Sequence, residues 1–384
     1  MSSHPKKILI FSHAYFPNFV GGAEIALKEI TNRIPTSECE FHLITLGSNE
    51  LSEEKIGNML VHRIKPFGVF GSNKILHTIS KYLYIFLAYY KAKRLHRRYV
   101  FDHTWSLMAT YGGFSAMFFK KKFPSIPFLL TLQEGDPIEY IMKRLGIFKS
   151  LYKEIFKSAD KIQVISNYLG KFAKEMGFKG TPMLVPNAVD MEVFGREYPA
   201  DEIRTLRNKF VDENQTLLVT TSRLVAKNGI EYVIRALQNI PNVVFLIIGK
   251  GELEDSLRNL ARNLGIESRV IFYGYVPQNK LPLFLKASDI FIRPSLSEGL
   301  GNSFLEAMTA RIPVIATPVG GIPDFLQNGV TGVFCEPKNP QSIVEAVVSL
   351  SDKNLSDSVV SNAFLMVKEK YDWNVIAQEI RKVL

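Results

Sequence analysis

A chain of 384 residues with 46% hydrophobic content exceeds what a single core ordinarily supports, so two domains are expected. Its two cysteines, Cys39 and Cys335, form no CxxC and no cluster with histidine, which excludes a disulfide framework or structural zinc site and points to a reducing, cytoplasmic setting. The formal charge of +10 is uneven: residues 1–185 hold 26 Lys+Arg against 14 Asp+Glu, and the remainder 21 against 23.

Residues 1–7 are polar and lead directly into an apolar strand at Ile8–Phe11, with no secretory h-region or cleavage site, so export is not expected. Further strands are predicted at Phe41–Thr45, Val61–Ile64, Phe128–Thr131, Lys161–Ile165 and Met183–Val185. Between Lys55 and Phe101 there are ten Lys or Arg and no acid. Within that stretch, residues 75–98 interleave bases with Leu76, Tyr82, Leu83, Ile85, Phe86, Tyr89 and Tyr90, the pattern of a basic amphipathic surface helix suited to an anionic membrane. The alternative is a core-facing helix with a solvated basic face. No nucleic-acid signature accompanies the charge, so nucleic acid is not an expected partner. The longest apolar run, Tyr82–Tyr90, is far short of the roughly 20 residues that span a bilayer. Attachment, if any, is expected to be peripheral, on the inner face of the cytoplasmic membrane.

Pro186 to Asp212 is rich in Pro, Asn and charge, and the alternation of strands and helices restarts after it. A linker is placed near residues 187–200, dividing domains 1–187 and 188–370. Second-series strands are predicted at Leu217–Thr221, Val243–Ile248, Val270–Tyr273, Ile290–Arg293, Val314–Ala316 and Gly332–Phe334. The closing segment 371–384 is predicted as a helix that packs back on the first domain. The fold class is α/β: two Rossmann-like, doubly wound domains facing across a cleft at their strand C-terminal edges, where such sheets bind ligands.

Four motifs carry chemistry. Pro294 to Met308 follows a strand and opens a helix; Gly301, Asn302 and Ser303 would offer backbone amides to a diphosphate. Glu298 lies in the loop, and Glu306 in the first helical turn, unless Ser303 and Glu306 form a capping box. Arg223 and Lys227, one helical turn apart where a strand ends, can clamp a pyrophosphate, or can be solvated surface cations. Gly249-Lys-Gly251 has no third glycine, so a nicotinamide site is weak, though a nucleotide base near Gly251 and Val276 fits. Gly21 and Gly22 follow the first strand and would let backbone approach a ligand. No D-x-D pair exists for a bridging metal.

Together these residues resemble glycosyltransferase family 4: Glu298 to Glu306 as E-x7-E, Arg223 with Lys227, Gly249-Lys-Gly251, Gly21-Gly22-Ala23, Pro186-Asn-Ala-Val-Asp190 and Pro313 to Gly321. The likeness runs in the family's order from about residue 6 to 380. It implies a GT-B fold and a metal-independent, retaining hexosyltransferase. Its partners would be a UDP- or GDP-sugar donor and a lipid-linked or glycan acceptor of envelope, polysaccharide or glycolipid biosynthesis. It implies that Arg223 and Lys227 neutralise the leaving diphosphate, that Glu298 contacts the sugar and Glu306 the ribose, and that Gly21 and Gly22 approach the donor phosphate from the other domain. A departure lies on the acceptor side, where the family's Thr-x-His reads Thr131-Leu132-Gln133, followed by Glu134 and Asp136. Gln133 cannot carry a charge or a transferable proton. A sugar-nucleotide-binding protein without turnover, or a nucleotide-sugar epimerase of the same architecture, are the competing expectations.

Overall fold

The computed structural model describes residues 4–19, 21–47, 53–65 and 74–384; Val20 of the early glycine turn and residues 66–73 of the acid-free stretch lie outside them. The chain divides into two compact units, Met1–Asn187 with Trp373–Leu384, and Ala188–Asp372.

In the first unit the strands are β1 (Lys6–Phe11), β2 (Cys39–Leu46), β3 (Glu53–Ile56), β4 (Met59–Ile64), β5 (His103–Leu107), β6 (Phe128–Leu132), β7 (Lys161–Val164) and β8 (Met183–Leu184). They lie in the order β3-β4-β2-β1-β5-β6-β7-β8, parallel except for β3 against β4. Both faces are covered by helices, which is why Ile8 to Phe11 and Phe128 to Leu132 are apolar or buried without alternation. The helices are α1 (Gly22–Arg33), α2 (Lys74–Tyr99), α3 (Tyr111–Lys122), α4 (Ile138–Leu145), α5 (Lys149–Ser158) and α6 (Asn167–Glu175). Two strands have no apolar run to announce them. β5 reads His-Thr-Trp-Ser-Leu, and its Thr104 and Ser106 are nonetheless buried, with Trp105 Nε1 donating to Thr131 Oγ1 at 2.8 Å. β3, Glu-Glu-Lys-Ile, is a short charged edge, a composition that discourages further pairing.

The basic segment forms α2, and it has two faces. Ser80, Tyr84, Ala88, Ala92 and Leu95, spaced three or four apart, are buried, and Tyr84 Oη donates to the Ile44 carbonyl at 2.9 Å. Ile79, Tyr82, Phe86 and Tyr90 are exposed on the other side. One face of this helix is therefore core, as the second expectation has it, and the other is exposed and apolar as well as basic. Among the described residues no helix is long and apolar enough to cross a membrane.

The second unit contains α7 (Met191–Phe194), α8 (Ala200–Arg207), α9 (Ile230–Ala236), α10 (Glu254–Asn263), α11 (Leu281–Lys286), α12 (Asn302–Thr309), α13 (Pro340–Ser349) and α14 (Lys353–Lys370). Its sheet is β9 (Thr216–Thr221), β10 (Val243–Ile248), β11 (Val270–Gly274), β12 (Ile290–Arg293), β13 (Val314–Ala316) and β14 (Val333–Phe334), all parallel, in the order β11-β10-β9-β12-β13-β14. The stretch read as linker is built into this unit: α7 buries Phe194 completely, and Thr309 Oγ1 reaches Met191 Sδ at 3.8 Å. The final helix, α15 (Trp373–Val383), belongs to the first unit and packs on α1. Strand order reverses between β1 and β5 in one sheet and between β9 and β12 in the other. Those are the topological switch points where a crevice opens at the strand C-terminal ends.

The two faces of α2 predict opposite outcomes for neighbouring aromatic truncations. Tyr84→Ala should cost about 3–5 kcal/mol, from the cavity and the carbonyl left without its donor. Phe86→Ala should stay within about 0.5 kcal/mol of the parent in the same urea titration.

Candidate active site

At the second switch point three loops are joined through their backbones. The β9–α9 loop carries Arg223 and Lys227, and the Lys227 carbonyl accepts from Leu296 N at 2.6 Å in the β12–α12 loop. Gly229 at φ +66 leaves room that the Pro294 carbonyl fills: an added Cβ would lie 2.0 Å from it. Asn228 Nδ2 donates to the Arg223 carbonyl at 2.6 Å, holding the turn. From the other side, Gly249 and Gly251 bring the β10–α10 loop against Ser222 and Leu224, where added Cβ atoms would lie 1.9 and 2.3 Å from carbonyl oxygens. This loop-on-loop contact by itself requires a glycine at both positions. Val276, expected beside a base, is buried at 6% exposure.

The E-x7-E segment is organised by a residue that the sequence did not single out. Arg293, last in β12, is 6% exposed and spends its guanidinium on protein: Nη2 on Glu298 Oε2 at 2.8 Å, Nη1 on Ser303 Oγ at 2.7 Å, and Nε on Ser295 Oγ at 3.2 Å. Its plane lies over the Phe304 ring, 4.3 Å from the centroid. Burial pushes its pKa down, opposed by Glu298 and then Glu306. The Glu298 main chain is gripped too, since its carbonyl accepts from Gly321 N at 3.1 Å and sits 1.8 Å from where a Cβ on Gly320 would be.

Helix α12 starts at Asn302 with Gly301 as N-cap at φ +96, and no side chain caps it. Ser303 therefore lies inside the helix, its hydroxyl engaged by Arg293, and the capping box considered for Ser303 and Glu306 does not form. Glu306 is the fifth helical residue, just past the first turn in which it was expected. It is half-buried, and Gln278 Nε2 donates to its Oε1 at 3.4 Å. Burial raises its pKa to about 7, opposed by Gln278 and Arg293. Beside Arg223, the hydroxyls of Thr220, Thr221 and Ser222 are buried without hydrogen-bond partners, an uncommon condition for three successive residues. Only Ser222 had a motif around it; nothing in an apolar strand pattern distinguishes the two threonines.

The first unit's edge is differently equipped. Gly21 N donates to Glu24 Oε2 at 2.9 Å, so the amide expected to approach a phosphate is already taken by a buried carboxyl, whose pKa burial raises. Gly22 is exposed at the first position of α1. After β6, Gln133 Oε1 accepts from Asn187 Nδ2 at 3.1 Å. Glu134 is buried, with Oε1 accepting from Ala109 N at 2.9 Å and Oε2 without a partner; burial raises its pKa, and Asp136, itself exposed, adds to the rise. Tyr152 Oη is buried and likewise unpartnered.

Residues 20–193 match the family described as Glycosyltransferase Family 4, and residues 202–366 match Glycosyl transferases group 1. The chain belongs to glycosyltransferase family 4. An uncharacterised glycosyltransferase of Methanocaldococcus jannaschii is 28% identical over 97% of this chain and 96% of its own length. A GDP-mannose-dependent alpha-(1-6)-phosphatidylinositol monomannoside mannosyltransferase of Mycobacterium tuberculosis is 28% identical over 67% of this chain and 69% of its own. Two solved structures share the GT-B fold. Sucrose-phosphate synthase of Thermosynechococcus elongatus has a TM-score of 0.83 at 19% identity, covering 98% of each chain. Anabaena HepE, solved with UDP and glucose, has a TM-score of 0.78 at 19% identity, covering 98% of this chain and 99% of its own.

Two predictions follow from the geometry of this glycosyltransferase's second unit. Arg293→Leu strands Glu298 without its cation and should cost about 3–5 kcal/mol, a loss that the double variant Arg293→Leu/Glu298→Leu partly recovers in a double-mutant cycle. Glu306 has a folded pKa near 7, above the usual 4.5. Between those values the folded chain keeps a proton that the unfolded chain has shed, so its stability contribution is full below about pH 4.5 and is lost as pH rises through 7. Glu306→Gln should thus gain on the parent by on the order of 1 kcal/mol between pH 4.5 and 8, read as a widening gap in Tm.

Proposed function

We propose that this glycosyltransferase moves a hexose, with retention of anomeric configuration, from a UDP- or GDP-sugar to a lipid-linked or glycan acceptor. The observation that carries this reading is the bond from Leu296 N to the Lys227 carbonyl, which ties the cationic loop to the E-x7-E loop at one switch point. Arg223, exposed, and Lys227, half-buried, are then on the same strand edge as the uncapped start of α12. A diphosphate there meets two cations and the amides of Gly301, Asn302 and Ser303, arranged before charge develops. In this reading no divalent cation is required. Glu298, held by Arg293, addresses the transferred sugar; Glu306 addresses the ribose, donating a hydrogen bond below pH 7 and only accepting above it. The leaving diphosphate takes part in deprotonating the acceptor hydroxyl, so charge stabilisation supplies most of the barrier lowering. The mannosyltransferase relative supports a GDP-sugar, and the UDP-bound neighbour a UDP-sugar.

A panel of UDP-, GDP- and ADP-sugars, screened by thermal shift, should identify the donor as the compound that raises Tm. Nucleotide release from it should fall about 10²–10³-fold in Arg223→Ala and in Lys227→Ala, stay constant in EDTA, and yield a product with the donor's anomeric configuration by NMR. Release at background in the parent chain with acceptors supplied would sink the catalytic reading. The basic face of α2 is assigned to an anionic membrane surface: reversing Lys93, Arg94, Arg97 and Arg98 to Glu should abolish cosedimentation with anionic vesicles.

A further inference from the structure

The first unit contains an amphipathic helix whose apolar side is only half-buried. α4 aligns Ile138, Ile141, Met142 and Leu145 on one side at helical spacing, yet none of its residues is buried. It ends at Gly146, whose φ of +51 turns the chain sharply, with nothing within 4 Å of where a Cβ would stand. The 3₁₀ turn Gly146–Phe148 then holds Ile147 at 91% exposure and Phe148 at 58%, with Tyr140 at 55% on the helix before it. Among the described residues nothing covers this apolar tip.

The tip is continuous with the exposed face of α2. Arg144 Nη2 donates to Tyr111 Oη at 3.4 Å, and the Tyr111 ring meets Tyr82 edge-on at 5.6 Å. Burial and the neighbouring Arg144 together hold the Lys81 ammonium below its usual pKa. From Tyr82 the face continues through Phe86 and Tyr90 to Lys93, whose ammonium lies over the Tyr89 and Tyr90 rings at 5.3 and 5.4 Å. α2 contains no acid, and Lys143, Arg144, Lys149 and Lys153 flank the tip. Exposed aliphatic and phenyl groups, tyrosines at their margin and bases around them match a bilayer interface: acyl chains, headgroup level and phosphates in turn.

We propose that the Gly146–Phe148 turn at the end of α4 is the inserting tip of a membrane-docking surface. Ile147 and Phe148 enter the acyl boundary of an anionic bilayer while α2 and the α4–α5 bases lie on its phosphates. The proposal deepens the membrane-side reading of α2, on which it rests, by naming the residues that leave water.

The test places an indole at the tip. Trp105 and Trp373 are 1% and 2% exposed, so the emission change of full-length Phe148→Trp with phosphatidylcholine/phosphatidylglycerol vesicles reports the new side chain. Its emission should shift to the blue and be quenched by lipids brominated on their acyl chains. Ile147→Glu/Phe148→Glu should lower vesicle partitioning by about tenfold or more, with Tm and nucleotide release from soluble donor unchanged. An indole neither shifted nor quenched, or a double-Glu variant that partitions like the parent, overturns the proposal. Quenching with no nucleotide release leaves the tip standing and removes the enzymatic reading; release with an unquenched indole does the reverse.

Discussion

A guanidinium withdrawn from water needs every one of its charges and donors answered, because burying an ion costs several kcal/mol before any pairing offsets it. At Arg293 the answer comes from Glu298, Ser303, Ser295 and the face of Phe304. Each of these partners is thereby given one position: the loop carboxylate, the first turn of α12, the exit from β12. The Gly320–Gly321 turn then closes on the Glu298 main chain, and Leu296 closes on Lys227. The switch-point edge of the second unit is in this sense assembled around a cation whose guanidinium is taken up by protein groups.

Bulk charge is a poor guide to where this chain concentrates its local charge. The first half holds the excess of bases, yet its sheet edge presents two buried carboxyls, Glu24 and Glu134, with raised pKa values. The bases are instead spent on α2 and around α4. The second half is slightly acidic overall, but its switch point gathers Arg223, Lys227 and Arg293. Anion binding is decided by a handful of groups within a Debye length of one another, and net charge averages them away.

What was legible in the sequence followed from how each residue advertises itself. Strands such as Ile8–Phe11 and Val243–Ile248 are buried on both faces, so their apolar runs are unmistakable, and both sheets could be drawn from them. β5 was invisible because its Thr104 and Ser106 are polar but enclosed, and β3 because an edge of Glu, Glu and Lys reads as loop. The loop glycines announced themselves, but not what they approach: Gly249 and Gly251 resemble a nucleotide turn and serve a neighbouring carbonyl. Arg293 looked like a strand terminus. Its role depends on a side chain folding back across ten residues to Ser303, which no local pattern encodes. α4 went unread because its apolar spacing, though clear, runs for only eight residues and no side chain caps its start.

The loops at β9, β10 and β12 touch through main-chain atoms at positions where even one methyl group would collide. Such a junction tolerates neither lengthening nor shortening, so the spacing of these segments is frozen for any descendant that keeps working. Room for diversification is left to side chains that border the junction without closing it, Gln278 in the loop after β11 among them. New sugar preferences in this lineage should therefore arise by exchange of single residues, whereas remodelled loops are to be sought on the other unit.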